Sequence, residues 1–113
     1  MIQQYFVTYT TQSSVNDVVF HSEVLRLKID PVQWIVQKNA SGKTKYSLVR
    51  FEVYSPLKMF HHRKITVSYV SQQGIGDILF KTEEIICHNP LTWILDKNKP
   101  ESRISYSLIG WWN

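Results

Sequence analysis

The hydrophobic pattern of this chain changes in the same order in its first and second halves. Short runs of β-branched and aromatic residues open each half, at residues 5–10 and 65–70, and predict β-strands. Turn-forming residues follow, Gln12-Ser13-Ser14 in the first half and Gly74-Ile75-Gly76-Asp77 in the second. Two further strands are predicted in each half, at about residues 18–27 and 45–53 and at about residues 78–87 and 104–112.

A short helix is predicted between the second and third strands of each half. Asp30-Pro31 and Asn89-Pro90 are typical helix starts, because Asp or Asn accepts hydrogen bonds from the free amides and proline fits the first helical position. Each helix is expected to extend for roughly nine residues, or about 13 Å, and to cover a sheet face with apolar side chains. These side chains are Val32, Trp34, Ile35 and Val36 in the first helix and Leu91, Trp93, Ile94 and Leu95 in the second.

The two halves also match residue by residue, which predicts an internal duplication. At a displacement of 60 positions, Val7-Thr8-Tyr9 aligns with Val67-Ser68-Tyr69. In the helices the displacement is 59 positions, which brings Trp34 onto Trp93. We therefore predict a single domain over residues 1–113, made of one repeat at residues 5–53 and a second at residues 65–113, with a linker at residues 54–64.

The predicted fold class is α+β, with two tandem β-β-α-β repeats related by a pseudo-twofold axis. In each repeat the helix crosses from the second to the third strand, so the first strand lies between them and runs antiparallel to both, in the order 2-1-3. We expect the repeats to form one continuous sheet of about six mostly antiparallel strands, with the two short helices on one face. The alternative is two three-stranded sheets packed face to face around the helices.

Composition narrows the cellular setting and the class of partner. With 113 residues, of which 43% are hydrophobic, the chain is long enough for one modest core. No stretch approaches the about 18 consecutive apolar residues that cross a bilayer, and the N-terminus lacks the pattern of a signal peptide. The only cysteine, Cys87, cannot form an internal disulfide. These features predict a soluble cytoplasmic protein without a membrane partner, and the net charge of +4 permits an acidic partner, including nucleic acid.

No catalytic or metal-binding motif occurs in the sequence, so we predict neither enzymatic activity nor a cofactor or metal. Gly74-Ile75-Gly76 precedes a strand where a dinucleotide-binding fold requires a helix, and it is predicted to form a hairpin turn. Cys87 is predicted to be a buried structural residue, and His61-His62 a solvated part of the linker. Four matched carboxylates are expected to have structural roles: Asp17, Asp77, Glu23 and Glu83.

Aromatic and basic side chains form the predicted contact surface. Trp34 and Trp93 are expected to pack between helix and sheet. Trp111 and Trp112 should point to opposite faces of the last strand, so that Trp112 is exposed if Trp111 is in the core. The loop after each helix is rich in lysine and arginine, and a twofold arrangement would present two similar basic patches. The predicted partner-binding residues are Trp112, Tyr69, Lys43, Lys45, Lys97, Lys99, Arg103 and Arg50.

Part of each half resembles a known kind of small protein. The segment Val67-Ser68-Tyr69, followed by Gly74-Ile75-Gly76-Asp77 and Phe80, resembles a recurrent unit of short tandem-repeat proteins from bacterial and prophage genomes. By analogy, the resemblance implies an inhibitor of host defence, of the anti-CRISPR type. We therefore predict a non-enzymatic protein-binding module that blocks a surface of its partner. The alternative is a nucleic-acid-binding protein with an aromatic sheet face and flanking basic loops. Strand edges allow either a monomer or a homodimer.

Overall fold

The structure, a computed structural model, describes residues 2–14, 17–40, 42–54, 63–99 and 103–112. Its elements in chain order are β1 (Gln3–Gln12), β2 (Val18–Leu27), α1 (Pro31–Ala40), β3 (Lys45–Val53), β4 (Arg63–Gln72), β5 (Ile78–Cys87), α2 (Pro90–Lys97) and β6 (Ser105–Trp112). The predicted α+β class is confirmed, with six antiparallel strands and two helices. The first strand of each half is longer than predicted.

The strands form two three-stranded sheets, an N-terminal sheet in the order β2-β1-β3 and a C-terminal sheet in the order β5-β4-β6. The order 2-1-3, predicted for each half, is therefore confirmed. The registers also agree between the sheets. Gln3 pairs with Leu27 in the first hairpin, and Arg63 pairs with Cys87 in the second, with both partners 60 positions further along. An irregularity in the outer pairing follows Thr8 in one sheet and Ser68 in the other.

The helix starts have the predicted caps. Asp30 Oδ1 accepts a hydrogen bond of 2.9 Å from the Gln33 amide, and Asn89 Oδ1 accepts one of 2.9 Å from the Leu91 amide. These bonds satisfy donors that have no partner inside the helix. The predicted apolar face of α1 is only partly buried, because Val32 and Val36 point to solvent.

Each helix packs on its own sheet, so the prediction that both helices lie on one face of a continuous sheet is wrong. The smaller core lies under α1 and consists of Val7, Tyr9 and Ile35, with Tyr5, Leu25, Trp34, Tyr46 and Leu48 packed against it. The larger core lies under α2 and contains Ile65, Val67, Tyr69, Cys87, Leu91, Ile94 and Leu108. Phe6 of β1 also belongs to this second core. The two sheets are therefore joined by buried apolar contacts as well as by the chain.

Side chains bind the strand edges where the two sheets meet, which explains why the sheets do not merge. The amide of Gln72 lies against β2: its Nε2 donates to the Val18 carbonyl at 2.8 Å, and its Oε1 accepts from the Phe20 amide at 2.9 Å. A neighbouring strand would use the same two backbone groups. With these groups already bonded, the edge of β2 is not available there for a further strand.

Two hydroxyl groups bind the edge of β6 in a similar way. The Leu108 amide donates to Ser22 Oγ at 3.0 Å, and Thr8 Oγ1 donates to the Leu108 carbonyl at 2.8 Å. Thr8 Oγ1 and Ser22 Oγ are 2.7 Å apart. Because the only hydroxyl hydrogen of Thr8 is used on Leu108, Ser22 must donate to Thr8. The three residues thus form a closed ring of hydrogen bonds, called the hydroxyl ring below.

The hydroxyl ring has no described counterpart on the other side. Ser68 and Thr82, which lie 60 positions after Thr8 and Ser22, bond each other at 2.9 Å on an exposed surface. A twofold interface requires reciprocal contacts. The rings of Phe20 and Phe80, which lie 60 positions apart in the sequence, do meet edge to face at 6.1 Å. The hydroxyl ring, by contrast, joins the sheets in one direction only.

Candidate functional site

The C-terminal sheet has one face that carries α2 and another that is buried near β2, at Val70, Gln72 and Ser107, and exposed beyond them. Trp112, Phe80 and Ile86 lie on this second face, with 50%, 72% and 66% of their surface exposed. Trp112 pairs with Thr66, and Ile86 pairs with Lys64, so their side chains are on the same side of the sheet. We call this surface the open face. Its members are Lys64, Thr66, Ser68, Phe80, Thr82, Glu84, Ile86, Gly110 and Trp112.

The centre of the open face is polar and its margin is apolar. Ser68 and Thr82 share a hydrogen bond at its middle. Lys64 and Glu84 form an ion pair of 3.4 Å that is well exposed and therefore contributes little to stability. Gly110 pairs with Ser68, two positions before Trp112, and a Cβ atom built there would meet no atom within 4 Å. The surface can therefore be altered at Gly110 without disturbing the packing.

The C-terminal tryptophans lie where the sequence predicts them, whereas Tyr69 does not. Trp111 packs against the core and Trp112 is exposed, as alternation along the last strand predicts. Tyr69, by contrast, is only 4% exposed, so its predicted place on the contact surface is corrected. Its side chain is on the α2 side of the sheet, where its hydroxyl donates to Glu83 Oε2 at 3.0 Å. Burial, together with the Glu83 carboxylate, raises the pKa of Tyr69 to about 12.

Tyr69 belongs to an aromatic cluster that is occupied by a lysine. The Lys97 Nζ lies 4.9 Å from the ring centres of Trp93 and Tyr106 and 5.8 Å from that of Tyr69. These distances are within the range of cation–π attraction. Trp93 is packed against the core, as predicted, and Lys97 is held on the cluster. Lys97 is therefore less available to a partner than its position in a basic loop suggests.

The first half contains a similar cluster around Tyr9. The rings of Tyr9 and Trp34 meet edge to face at 5.2 Å, and Trp34 packs against the core as predicted. The Tyr9 hydroxyl donates to Glu23 Oε2 at 2.7 Å. Burial is the larger cause that raises the pKa of Tyr9, and this hydrogen bond is the second. Among the described contacts, the Lys38 Nζ lies over one ring, 5.6 Å from the centre of Trp34. Glu23 and Glu83 thus each bind a tyrosine of their own sheet, a role that the strand pattern did not indicate.

The predicted basic residues do not lie beside Trp112. Lys99 and Arg103 precede β6, whereas Trp112 ends it, so the length of the strand, about 24 Å, separates them. Lys43 and Lys45 are exposed at the start of β3. Arg50 pairs with Glu52 at 2.6 Å. The residues proposed from sequence therefore fall on more than one surface.

A groove of about 480 Å³ lies between β2 and the start of β6, a place that sequence patterns do not predict. We call it the inter-sheet groove. Its apolar walls include Phe20, Ile75 and Ile104, and its ionisable side chains include His21, Glu23, Lys99 and Arg103. The volume falls within the range of small-molecule sites.

His21 lies on the wall of the groove that β2 forms. Its ring stacks on that of Tyr9 at 4.8 Å, and its Nε2 is 3.0 Å from Thr11 Oγ1. Burial lowers the pKa of His21, although the nearby Glu23 carboxylate acts in the opposite direction. The groove therefore holds a neutral imidazole near pH 7.

The glycine turn and Cys87 lie in the positions that the sequence predicts. Gly74 and Gly76 adopt positive φ angles of 77° and 86° in the β4–β5 turn, a conformation that favours glycine. Cys87 is buried, as predicted, and burial raises the pKa of its thiol. His61-His62 lies outside the described residues. Within the described ranges, no group of three or more His, Cys, Asp or Glu side chains could hold a metal ion.

No described helix has both the length and the apolar character needed to cross a membrane. Comparison with known proteins adds no further assignment. No family model matches the sequence, and neither curated proteins nor solved structures give a match.

Proposed function

We propose that this protein is a non-enzymatic protein-binding module that covers a surface of its partner with the open face. The observation that carries the proposal is the exposure of Trp112, Phe80 and Ile86 on that face. Several large apolar side chains exposed on one surface are typical of protein interaction sites. By the resemblance stated above, the class of activity is that of a phage- or prophage-encoded inhibitor, of the anti-CRISPR type, acting in the host cytoplasm.

The proposal includes the internal duplication, because comparison of the halves indicates how the open face differs. Trp112 and Ile86 occupy the positions of Glu52 and Arg26 in the first half. Two charged positions of one half are thus large and apolar in the other. Their exposure in the C-terminal sheet gains nothing for folding, whereas a partner that removes them from water would gain affinity.

The expected loss of partner affinity can be worked out for Trp112. Tryptophan is one of the residues whose truncation most often costs about 2 kcal/mol or more in a complex, which corresponds to roughly a 30-fold loss of affinity. Half of the side chain is already exposed in the free protein. We therefore expect Trp112→Ala to weaken partner binding by at least this factor while the melting temperature changes by less than about 3 °C.

The test uses variants that alter the open face in opposite ways. Immobilised wild-type protein captures binding proteins from bacterial lysate, and each candidate is purified and titrated by calorimetry. Trp112→Ala removes apolar surface, and Gly110→Gln adds a side chain where no atom lies within 4 Å. Both must weaken binding, whereas Val36→Ala, on the exposed side of α1, must not. A partner that binds all variants equally contradicts the proposal, as does a Trp112→Ala variant that unfolds.

Nucleic-acid binding, the alternative, predicts a different result. Affinity that depends on phosphate contacts falls steeply as salt rises. The exposed cations Lys43, Lys45, Lys99 and Arg103 are the groups that would make these contacts. Absence of binding to single- and double-stranded DNA and RNA at low salt eliminates the alternative. Binding that is lost in charge variants, and retained in Trp112→Ala, would replace the protein-binding proposal.

A further inference from the structure

We propose that the inter-sheet groove binds a small organic anion with an apolar body, at a site separate from the open face. The groove is open to solvent and has a volume of about 480 Å³, which is enough for a ligand of a dozen or more non-hydrogen atoms. Carboxylate and phosphate are the two anionic groups that its chemistry accepts. Three features of the groove support this inference: the cations, the hydrogen-bonded neutral groups and the apolar walls of its lining.

The cations of the groove are available to a ligand. Lys99 and Arg103 line it, and both side chains are exposed. Across the ranges that the structure describes, neither cation forms an ion pair with a carboxylate. The described lining has one acidic residue, Glu23, and its Oε2 already accepts the hydrogen of the Tyr9 hydroxyl. Of the described acids of the lining, only Glu23 would therefore compete with an anion that contacts Lys99 and Arg103.

Several neutral polar groups of the lining are used within the fold. The Gln72 amide is bonded to β2. The Asn98 side chain donates to the Tyr106 carbonyl at 2.6 Å and accepts from the Tyr106 amide at 2.6 Å. Ser22 takes part in the hydroxyl ring. These groups are already bonded, so charge attraction to Lys99 and Arg103 is the main source of polar selectivity.

The walls select for an apolar body on the same ligand. Phe20 of β2, Ile75 of the β4–β5 turn and Ile104 before β6 all line the groove. They come from both sheets, so a ligand in contact with all three would join the sheets. An apolar surface beside two cations matches an aromatic or aliphatic carboxylate or phosphate better than an inorganic ion.

The first half provides a matched control. Lys43 lies 60 positions before Arg103, in the equivalent loop, and both Lys43 and Lys45 are exposed away from the groove lining. The double variant Lys43→Gln/Lys45→Gln therefore removes the same charge as Lys99→Gln/Arg103→Gln. Any effect of net charge alone must appear in both double variants.

The experiment is an NMR titration of the ¹⁵N-labelled full chain with phenyl phosphate, 3-phenylpropionate and uncharged benzyl alcohol. We expect amide shifts at His21, Ser22 and Ile104, with a dissociation constant on the order of 1 mM for the better anion. The two anions distinguish phosphate from carboxylate recognition. Lys99→Gln/Arg103→Gln should weaken binding at least about tenfold, whereas the control should change it by less than about twofold.

Three outcomes would overturn the proposal. They are an absence of shifts at the groove with either anion, equal binding of benzyl alcohol, or equal losses in the two double variants. The amide spectrum of each variant reports its folding, so a misfolded protein is recognised before titration. Shifts around Trp112 instead of the groove would assign the anion to the open face and also contradict the proposal.

Discussion

The hydroxyl ring allows a direct test of how the two sheets are held together. Thr8→Val keeps the shape of the side chain and removes its hydroxyl, which donates to the Leu108 carbonyl at 2.8 Å. Thr8 is fully buried, so the carbonyl of Leu108 and the hydroxyl of Ser22 each lose a partner. A buried polar group without a partner costs about 1–3 kcal/mol. We expect a loss of about 2 kcal/mol in the free energy of unfolding.

For 113 residues, this loss corresponds to a fall of about 8 °C in melting temperature, at roughly 4 °C per kcal/mol. The matched control is Thr82→Val, because Thr82 makes an equivalent hydroxyl bond to Ser68 on an exposed surface. There water replaces the lost partner, and the change should stay within about 0.5 kcal/mol. Urea unfolding followed by circular dichroism measures both. Equal effects of the two substitutions would refute the explanation.

A double-mutant cycle tests whether the bonds form a ring. Thr8→Val already breaks the bond that Ser22 donates to Thr8, so adding Ser22→Ala removes less than Ser22→Ala does alone. We expect a coupling energy of about 1 kcal/mol. Additive losses would mean that the two hydroxyls bind Leu108 independently.

Two further predictions concern His21 and Lys97. Burial lowers the pKa of His21 in the folded state, so the unfolded chain binds the His21 proton more readily. The contribution of His21 to stability is therefore complete above about pH 6.5 and is lost as pH falls below that value. Urea midpoints measured from pH 7.5 to 5 should fall less in His21→Gln than in the wild type, and equal slopes would contradict this assignment. Among the described contacts, Lys97 lies over three rings and Lys38 over one. Lys97→Met should therefore lower the free energy of unfolding by about 1 kcal/mol and Lys38→Met by less than about 0.5 kcal/mol, as measured by thermal unfolding. A larger loss for Lys38→Met would refute the cation–π account.

Secondary structure could be predicted here because its signals are local. Asp30 and Asn89 cap their helices through bonds to amides two or three residues away, and a proline follows each of them. Gly74 and Gly76 adopt the positive φ angles that turns require. The order of strands within each half follows from the short helical crossover. Each of these features depends on residues close in sequence.

The relative placement of the sheets depends on contacts between residues distant in sequence. The bonds of Gln72 to β2 join residues more than 50 positions apart, and those of Leu108 join residues more than 80 apart. No periodicity indicates which edge such a side chain binds. The inter-sheet groove exists only in the resulting arrangement. The burial of Tyr69 could have been expected, because Val67 and Tyr69 alternate on one side of a strand that α2 covers.

The hydroxyl pairs do not determine which sheet face is covered, because both faces have one. Thr8 and Ser22 correspond to Ser68 and Thr82, and the two pairs offer the same chemistry. The discriminating residues lie beside them. Phe6 and Val24 contribute to the core beneath α2. The residues 60 positions further along are Thr66, which is polar, and Glu84, which is charged.

The energies of these neighbours decide between the two faces. Burying a phenylalanine gains about 1.5–3 kcal/mol. Burying Glu84 in the equivalent position of the other face would cost several kcal/mol unless its ion pair with Lys64 were retained. Apolar burial at Phe6 and Val24 therefore selects the interface, and the hydroxyl ring fixes the position of β6 on it. The same difference keeps the open face in solvent, where its apolar margin can meet a partner.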